Sequence, residues 1–160
     1  IFSNSGFNLR PTDIQAAIGF NQFKRLDKLK EIRNTNRNLI LSKITKSKNW
    51  KDQFKFIKPS KDIKPSWMGL PILINEKFKN KKSKFVDILD QAGIETRPII
   101  SGSFVNQPAV KLYNLNKSNE KFYAAQKAQD LGFLIGLHTK KISKKQLNLI
   151  HNTFFMIDKL

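Results

Sequence analysis

The residues of this chain that could do chemistry gather in two stretches. In "ETRPIISGSFVNQP", Glu95 and Arg97 stand before a run, 98–110, that carries no charge in a chain with 30 Lys and Arg. Ser101, Ser103, Asn106 and Gln107 supply hydroxyls and amides that donate and accept alike. Such neutral groups suit sugar hydroxyls better than the point charge of a lysine does. The same residue types also satisfy the backbone of a long connection, and on chemistry alone the two readings stand level. In "GFNLRPTD", Asn8 and Arg10 immediately precede a helix start, where free N–H groups and the helix dipole favour an anion. A turn asparagine followed by a surface arginine explains that stretch as well.

Neither stretch makes a self-contained catalytic centre. Glu95 is one of four glutamates, and no neighbouring carboxylate completes an acid/base pair with it. Ser101 and Ser103 flank Gly102 without the pattern of a nucleophile elbow, and no phosphate-cradling glycine loop occurs. With no cysteine and only His138 and His151, neither a disulfide nor a zinc site is expected.

The elements that must position these residues follow from periodicity and capping. Thr12 or Asp13 caps a helix beginning "DIQAAIGFNQFKRL", with Ile14, Ala17, Ile18 and Phe23 near one face. Apolar positions continue through Leu26, Leu29, Ile32, Leu39 and Ile44, which predicts one long helix or two consecutive ones. After a lysine-rich connection broken by Pro59 and Pro65, "SWMGLPILI" reads as a strand covered on both faces. Phe85, Ile88, Leu89 and Ala92 give a helix that Gly93 ends, and 94–100 return as a second strand. A helix from near Asn119 to Gly132 follows, then "FLIGLH" as a third strand. A last helix is capped by Ser143, with the stripe Leu147, Ile150, Phe154 and Ile157. The expected class is α+β, or a small α/β fold, with one layer of helices on a small sheet.

Bulk properties narrow the function classes. At 160 residues and 39% hydrophobic content the chain can bury the core of one domain. No apolar run approaches the roughly 18 to 20 residues of a membrane span, and a cytoplasmic location fits the absence of cysteine. The net charge of +18 raises nucleic-acid binding as a rival, but 25 lysines face only five arginines. The lysines are scattered, as in "KNKKSK" and "TKKISKK", which reads as a solvated surface. The opening "IFSNSGFNLRPTDIQ" reads as the middle of a longer protein.

The segment "GFNLRPTDIQAAIGFNQFKRLD" resembles one found in DegT/DnrJ-type pyridoxal-phosphate sugar aminotransferases, matching at Gly6, Asn8, Arg10, Gln15, Ala16, Ala17 and Gly19. "PSWMGLPI", "AGIETRPIISGSFVNQPAVK" and "GFLIGLH" continue the resemblance in the same order across nearly the whole chain. The resemblance implies the C-terminal small domain of a fold type I enzyme. Residues 1–48 would be the end of the large-domain region with connecting helices, and 49–160 the small domain. It implies pyridoxal 5'-phosphate or pyridoxamine 5'-phosphate as cofactor and a nucleotide-linked keto-deoxysugar as substrate. An amino donor such as glutamate and a homodimer with shared active sites are implied too. Asn8 would reach the cofactor phosphate of the neighbouring subunit, and Arg10 would help hold cofactor or substrate. The "SWMG" and "TRPIISG" forms are more similar to the 3-dehydratase branch of the family, in which the cofactor acts in its amine form and the C3 hydroxyl of the sugar leaves. Aminotransferase is the alternative within the family. Glu95 and Arg97 would orient the sugar, with Ser101, Ser103, Asn106 and Gln107 as loop contacts. His138 would stand near the site or simply end a strand. The catalytic lysine or histidine is expected upstream of Ile1, so none of the lysines present takes that role. Ser103 stands where that branch usually has Asn, and Asn106 where Arg is common. From another class, a noncatalytic basic nucleic-acid-binding or regulatory module is the rival.

Overall fold

A computed structural model describes residues 12–116 and 120–160. Asn8 and Arg10 lie outside the described residues. The chain begins with two consecutive helices, α1 (Asp13–Phe23) and α2 (Leu26–Thr45). Thr12 caps α1 reciprocally: its hydroxyl accepts from the Gln15 N–H, and its own N–H donates to Gln15 Oε1 at 2.9 Å. Nothing in α1 is buried, whereas α2 buries Asn36, Arg37, Ile40 and Ile44 in its second half.

Four antiparallel strands follow, β1 (Phe54–Phe56), β2 (Gly69–Ile74), β3 (Thr96–Arg97) and β4 (Gly132–Gly136), in the spatial order β1-β2-β4-β3. Helices α3 (Lys82–Gln91), α4 (Pro108–Leu112), α5 (Tyr123–Leu131) and α6 (Lys144–Phe154) complete an α+β fold. A 3-10 turn, Glu76–Lys81, leads into α3, and another, Phe155–Lys159, follows α6. Leu70, Ile72, Ile74, Phe133 and Ile135 form one face of the sheet, and Ile40, Ile44, Phe85, Leu89, Phe154 and Ile157 cover it. Phe54 lies 5.6 Å from Phe85 and 5.1 Å from Phe154, ring to ring, and Phe133 meets the Phe85 edge at 6.0 Å. These aromatic contacts close the centre of the core.

Several elements depart from expectation for local reasons. β2 starts at Gly69 rather than Ser66, and it buries only alternate residues: Leu70, Ile72 and Ile74 are buried, while Gly69, Pro71 and Leu73 are half-buried. It is a one-sided strand. Its ladder with β1 ends at Phe56↔Ile72. Asn75 N–H donates to Gln53 O at 2.8 Å, and counting along that register puts Ile57 opposite Pro71 at a hydrogen-bonding position. Pro71 has no N–H to offer, and Arg37 Nη2 donates to Ile57 O instead, at 2.6 Å. The guanidinium also lies over Trp67, 4.4 Å from the ring centroid. Burial holds the Arg37 pKa below the usual arginine range.

β3 is two residues long, not the seven of 94–100. Upstream, Gly93 at φ 78° closes α3 in a Schellman turn that ties Ile94 N–H to Leu89 O at 2.9 Å. Downstream, the chain leaves the ladder after Arg97 to enter the left-handed bend at Ser101 and Gly102. β1 was not expected at all. The helix expected from near Asn119, itself outside the described residues, starts at Tyr123. Before it, Asn116 accepts from Glu120 N–H and donates to Glu120 O, both at 3.1 Å. β4 runs from Gly132 to Gly136, so Leu137 and His138 lie past its end. α6 follows expectation: Ser143 and Gln146 form a capping box, and Ile157 continues the stripe from the 3-10 turn.

Candidate functional site

β3 sits at the sheet edge and aims residues 95 and 97 to the same side of the chain, with Thr96 opposite. Arg97 donates from Nε and Nη2 to Glu95 Oε1 at 3.1 and 2.8 Å. Both side chains are exposed, at 71% and 73%, so water screens the pair and it contributes about 1 kcal/mol or less. Thr96 N–H and hydroxyl both donate to the Asp90 carboxylate, at 2.9 and 3.0 Å, which fixes the strand to the end of α3. The two charged groups thus stand on a tethered edge and neutralise each other at the loop entrance.

The uncharged run then crosses the start of β4, where Ile99 packs closely against Gly132. It reverses through Ser101 and Gly102, both left-handed, at φ 64° and 54°. Ser103 is buried, and its N–H donates to Gln129 Oε1 at 3.0 Å. The 3-10 turn Phe104–Asn106 follows, and Asn106 Nδ2 donates to Gln126 Oε1 at 2.7 Å and to Gln129 Oε1 at 3.3 Å. Gln107 Nε2 donates back to Ser101 O at 3.2 Å, and α4 begins at Pro108. Ser101, Ser103, Asn106 and Gln107 are therefore brought into one compact loop resting on α5. Ile100 and Phe104, beside them, are exposed.

Composition gave no hint of the residues that hold this loop. Gln126 and Gln129 lie one helical turn apart on α5, and Gln126 Nε2 donates to Asp130 Oδ1 at 2.8 Å. Lys79 Nζ donates to Asp130 Oδ2 at 2.8 Å. The bond from Lys79, and then the one from Gln126, hold the Asp130 carboxyl below its usual pKa. Lys82 donates to Gln129 O at 2.7 Å, and burial pushes its pKa down. Lys127 pairs with Glu76, and its hydrogen bond and charge lower the Glu76 carboxyl. Regularly spaced amides on the predicted helix were the only signal available in the sequence.

His138 is exposed beyond β4, and its Nδ1 accepts from Lys140 N–H at 2.9 Å. Asn36 braces the same turn by donating to His138 O and Lys140 O at 3.0 and 2.8 Å and accepting from Ile142 N–H at 3.0 Å. His138 and Glu95 border an open groove of about 650 Å³, with Arg33, Met68 and Lys140 along it. Lys140 and Lys141 are exposed there, and the groove is open to solvent. The described residues thus offer an exposed ion pair, a neutral loop and an open groove that shares Glu95 with that pair. No helix among them is long and apolar enough to cross a membrane.

Comparison with known proteins gives this arrangement its context. Residues 2–153 match the model of the DegT/DnrJ/EryC1/StrS aminotransferase family. The chain is 29% identical over 152 residues to GDP-4-keto-6-deoxy-D-mannose 3-dehydratase of Yersinia pseudotuberculosis, covering 91% of this chain and 36% of that protein. It is 30% identical over 107 residues to lipopolysaccharide biosynthesis protein RfbH of Salmonella typhimurium, covering 67% and 24%. Among solved structures, Helicobacter pylori PseC, an aminotransferase involved in the biosynthesis of pseudoaminic acid, shares the fold. Its TM-score is 0.79 at 21% identity, over 99% of this chain and 40% of that one. GDP-4-keto-6-deoxy-D-mannose-3-dehydratase of E. coli, with bound hydrated PLP, superposes with a TM-score of 0.75 at 23% identity, over 96% and 38%. This chain spans about a third of the length of these relatives, and its own matched length is nearly complete. The chain belongs to the DegT/DnrJ/EryC1/StrS aminotransferase family.

Proposed function

We propose that this chain is the sugar-orienting, C-terminal portion of a pyridoxal- or pyridoxamine-phosphate-dependent nucleotide-sugar enzyme. The reaction we assign is 3-dehydration of a nucleotide-linked 4-keto-6-deoxyhexose, in the cytoplasmic synthesis of lipopolysaccharide or surface-polysaccharide sugars. The observation that carries the reading is the uncharged 98–110 loop, opened by the Glu95–Arg97 pair, inside a family match that spans almost the whole chain. In this reading Glu95 and Arg97 orient the sugar, and Ser101, Ser103, Asn106 and Gln107 form the neutral loop that receives it. Asn8 and Arg10 reach the cofactor across a homodimer interface, and glutamate serves as amino donor. The cofactor supplies the electron sink for loss of the hydroxyl. The catalytic lysine or histidine belongs to the remainder of the protein, and the present chain positions rather than reacts.

Residues 1–48 are assigned to the end of the large-domain region and its connecting helices, and 49–160 to the small domain. Two features support that division. The apolar side chains of α1 are exposed, and only the second half of α2 is seated on the sheet. The likeness to PseC supports aminotransferase as the second reading.

The test is product analysis with the protein made from its complete reading frame, given cofactor, glutamate and a GDP- or CDP-linked 4-keto-6-deoxyhexose. A 3-deoxy sugar is the expected product; a 4-amino sugar moves the assignment to aminotransferase. Absence of both, together with tight and steeply salt-sensitive binding of random DNA, overturns it in favour of a basic binding module. The chain 1–160 by itself should show no stoichiometric cofactor absorbance band.

A further inference from the structure

We infer that Gln129, with Gln126 beside it, is a positioning residue for the sugar-binding loop, and that Asn106 is the anchor by which α5 grips that loop. The inference rests on reading 98–110 as the sugar-binding loop, and divides its residues into those that face the ligand and those that hold the shape.

Ser101 is a non-glycine residue at φ 64°, next to Gly102 at φ 54°. A left-handed residue with a Cβ is unfavourable and persists only where its surroundings impose it. Gln129 constrains the residues that follow the bend. Its Oε1 accepts from the buried Ser103 N–H at 3.0 Å and from Asn106 Nδ2 at 3.3 Å. Gly102 lies so close to the same side chain that a Cβ there would stand 2.9 Å from Gln129 Cβ, Cγ and Oε1.

The direction of the hydrogen bonds is fixed at both ends. A backbone N–H can only donate, so Gln129 must present oxygen to Ser103. Asn106 must then donate to it, which makes Gln126 accept from Asn106 at 2.7 Å through its own oxygen. That turns the Gln126 amide nitrogen towards Asp130 Oδ1 at 2.8 Å, and a carboxylate paired with Lys79 can only accept. Every amide in the relay has a single consistent orientation. Both Asn106 amide hydrogens are committed to α5, at 2.7 and 3.3 Å, so this side chain shapes the loop rather than greeting the sugar. Ser101, exposed at the bend, is left at the ligand side.

The experiment uses the full-length protein with Gln129→Met, which keeps the side-chain stem under Gly102 but removes the acceptor, and Gln129→Glu, which keeps it. Asn106→Asp, which sets acceptor against acceptor, is a second break of the same relay. Two readouts are taken: amide hydrogen exchange across 99–107, and steady-state KM and kcat for the nucleotide-linked 4-keto-6-deoxyhexose. Gln129→Met and Asn106→Asp should speed loop exchange and raise KM, each about tenfold, with kcat within about twofold, as expected for the loss of one or two hydrogen bonds. Gln129→Glu should stay near wild type in both. Unchanged loop exchange in Gln129→Met, faster exchange with unchanged KM, or no rescue by Gln129→Glu overturns the inference. If the wild-type protein binds no nucleotide sugar, the functional reading fails by itself, and the exchange readout alone decides whether Gln129 holds the loop.

Discussion

Helices α1 and α6 are the same length, 11 residues, and begin with the same device, a hydroxyl cap and a glutamine closing the box three residues later. Their fates are opposite. α6 buries Thr153 and Phe154 and leads into buried Phe155 and Ile157, whereas α1 buries nothing. The difference lies around the circumference. The apolar residues of α6, Leu149 apart, form one stripe, whereas Ile14, Ala16, Ala17, Ile18, Phe20 and Phe23 extend over most of the circumference of α1 rather than the single face expected, leaving only the side of Gln15, Gly19 and Gln22 free of them. A cap decides where a helix starts; the distribution of apolar residues decides what it needs as a neighbour. A helix apolar over most of its circumference calls for neighbours on more than one side, and an 11-residue helix in water is marginal by itself. That is why residues 1–48 are assigned above to the connection with a large domain.

Substitutions in the two helices test this contrast. The largest effect is expected at the core end: Phe154→Ala should lower the stability of the chain by about 3–5 kcal/mol in denaturant unfolding. Ile18→Ala, at a residue 59% exposed, should change it by less than about 0.5 kcal/mol. Equal losses from the two would show that α1 is packed after all. Next come the caps. Ser143→Ala should remove about 1 kcal/mol, and Thr12→Ala should leave global unfolding unmoved while fraying α1, seen as faster amide exchange there. A smaller, local effect is expected from Gly102→Ala, which adds a methyl at a left-handed φ and against Gln129. Exchange should rise across 99–107 while the sheet amides stay protected.

The smallest effect is acid loosening of the loop. Lys79 and Gln126 hold the Asp130 carboxyl below its usual pKa. A carboxyl whose folded pKa is depressed stabilises the fold above its unfolded value, and that stabilisation fades as pH falls through the folded one. Loop exchange, corrected for intrinsic rates, should therefore quicken as pH drops below the ordinary carboxylate value of about 4, and Asp130→Asn should abolish the dependence.

What could be read from the sequence was what is local. The α6 stripe, the Gly93 stop and the N-caps at Thr12 and Ser143 need only neighbours within a turn or two, and they stand where the local pattern puts them. β1 escaped because "FKF" is too short to show alternation inside a lysine-rich stretch. The one-sidedness of β2 escaped because Gly69, Pro71 and Leu73 are as apolar as the core residues between them. The loop at 98–110 was legible as a unit through its missing charge. Its grip on α5 was not, since Ser103 meets Gln129 across 26 residues and Asn106 meets Gln126 across 20. Glutamines on a helix read simply as good helix formers.

The central claim is that this neutral loop, rather than the lysine surface, receives the substrate. The direct measurement is hydrogen exchange of the full-length protein with and without a nucleotide-linked 4-keto-6-deoxyhexose, with the free nucleoside diphosphate as control. The sugar-bearing ligand should slow exchange at 97–107, and the free diphosphate should not. Equal protection of this loop by both ligands, or protection confined to the lysine-rich segments 77–84 and 140–145, would contradict it.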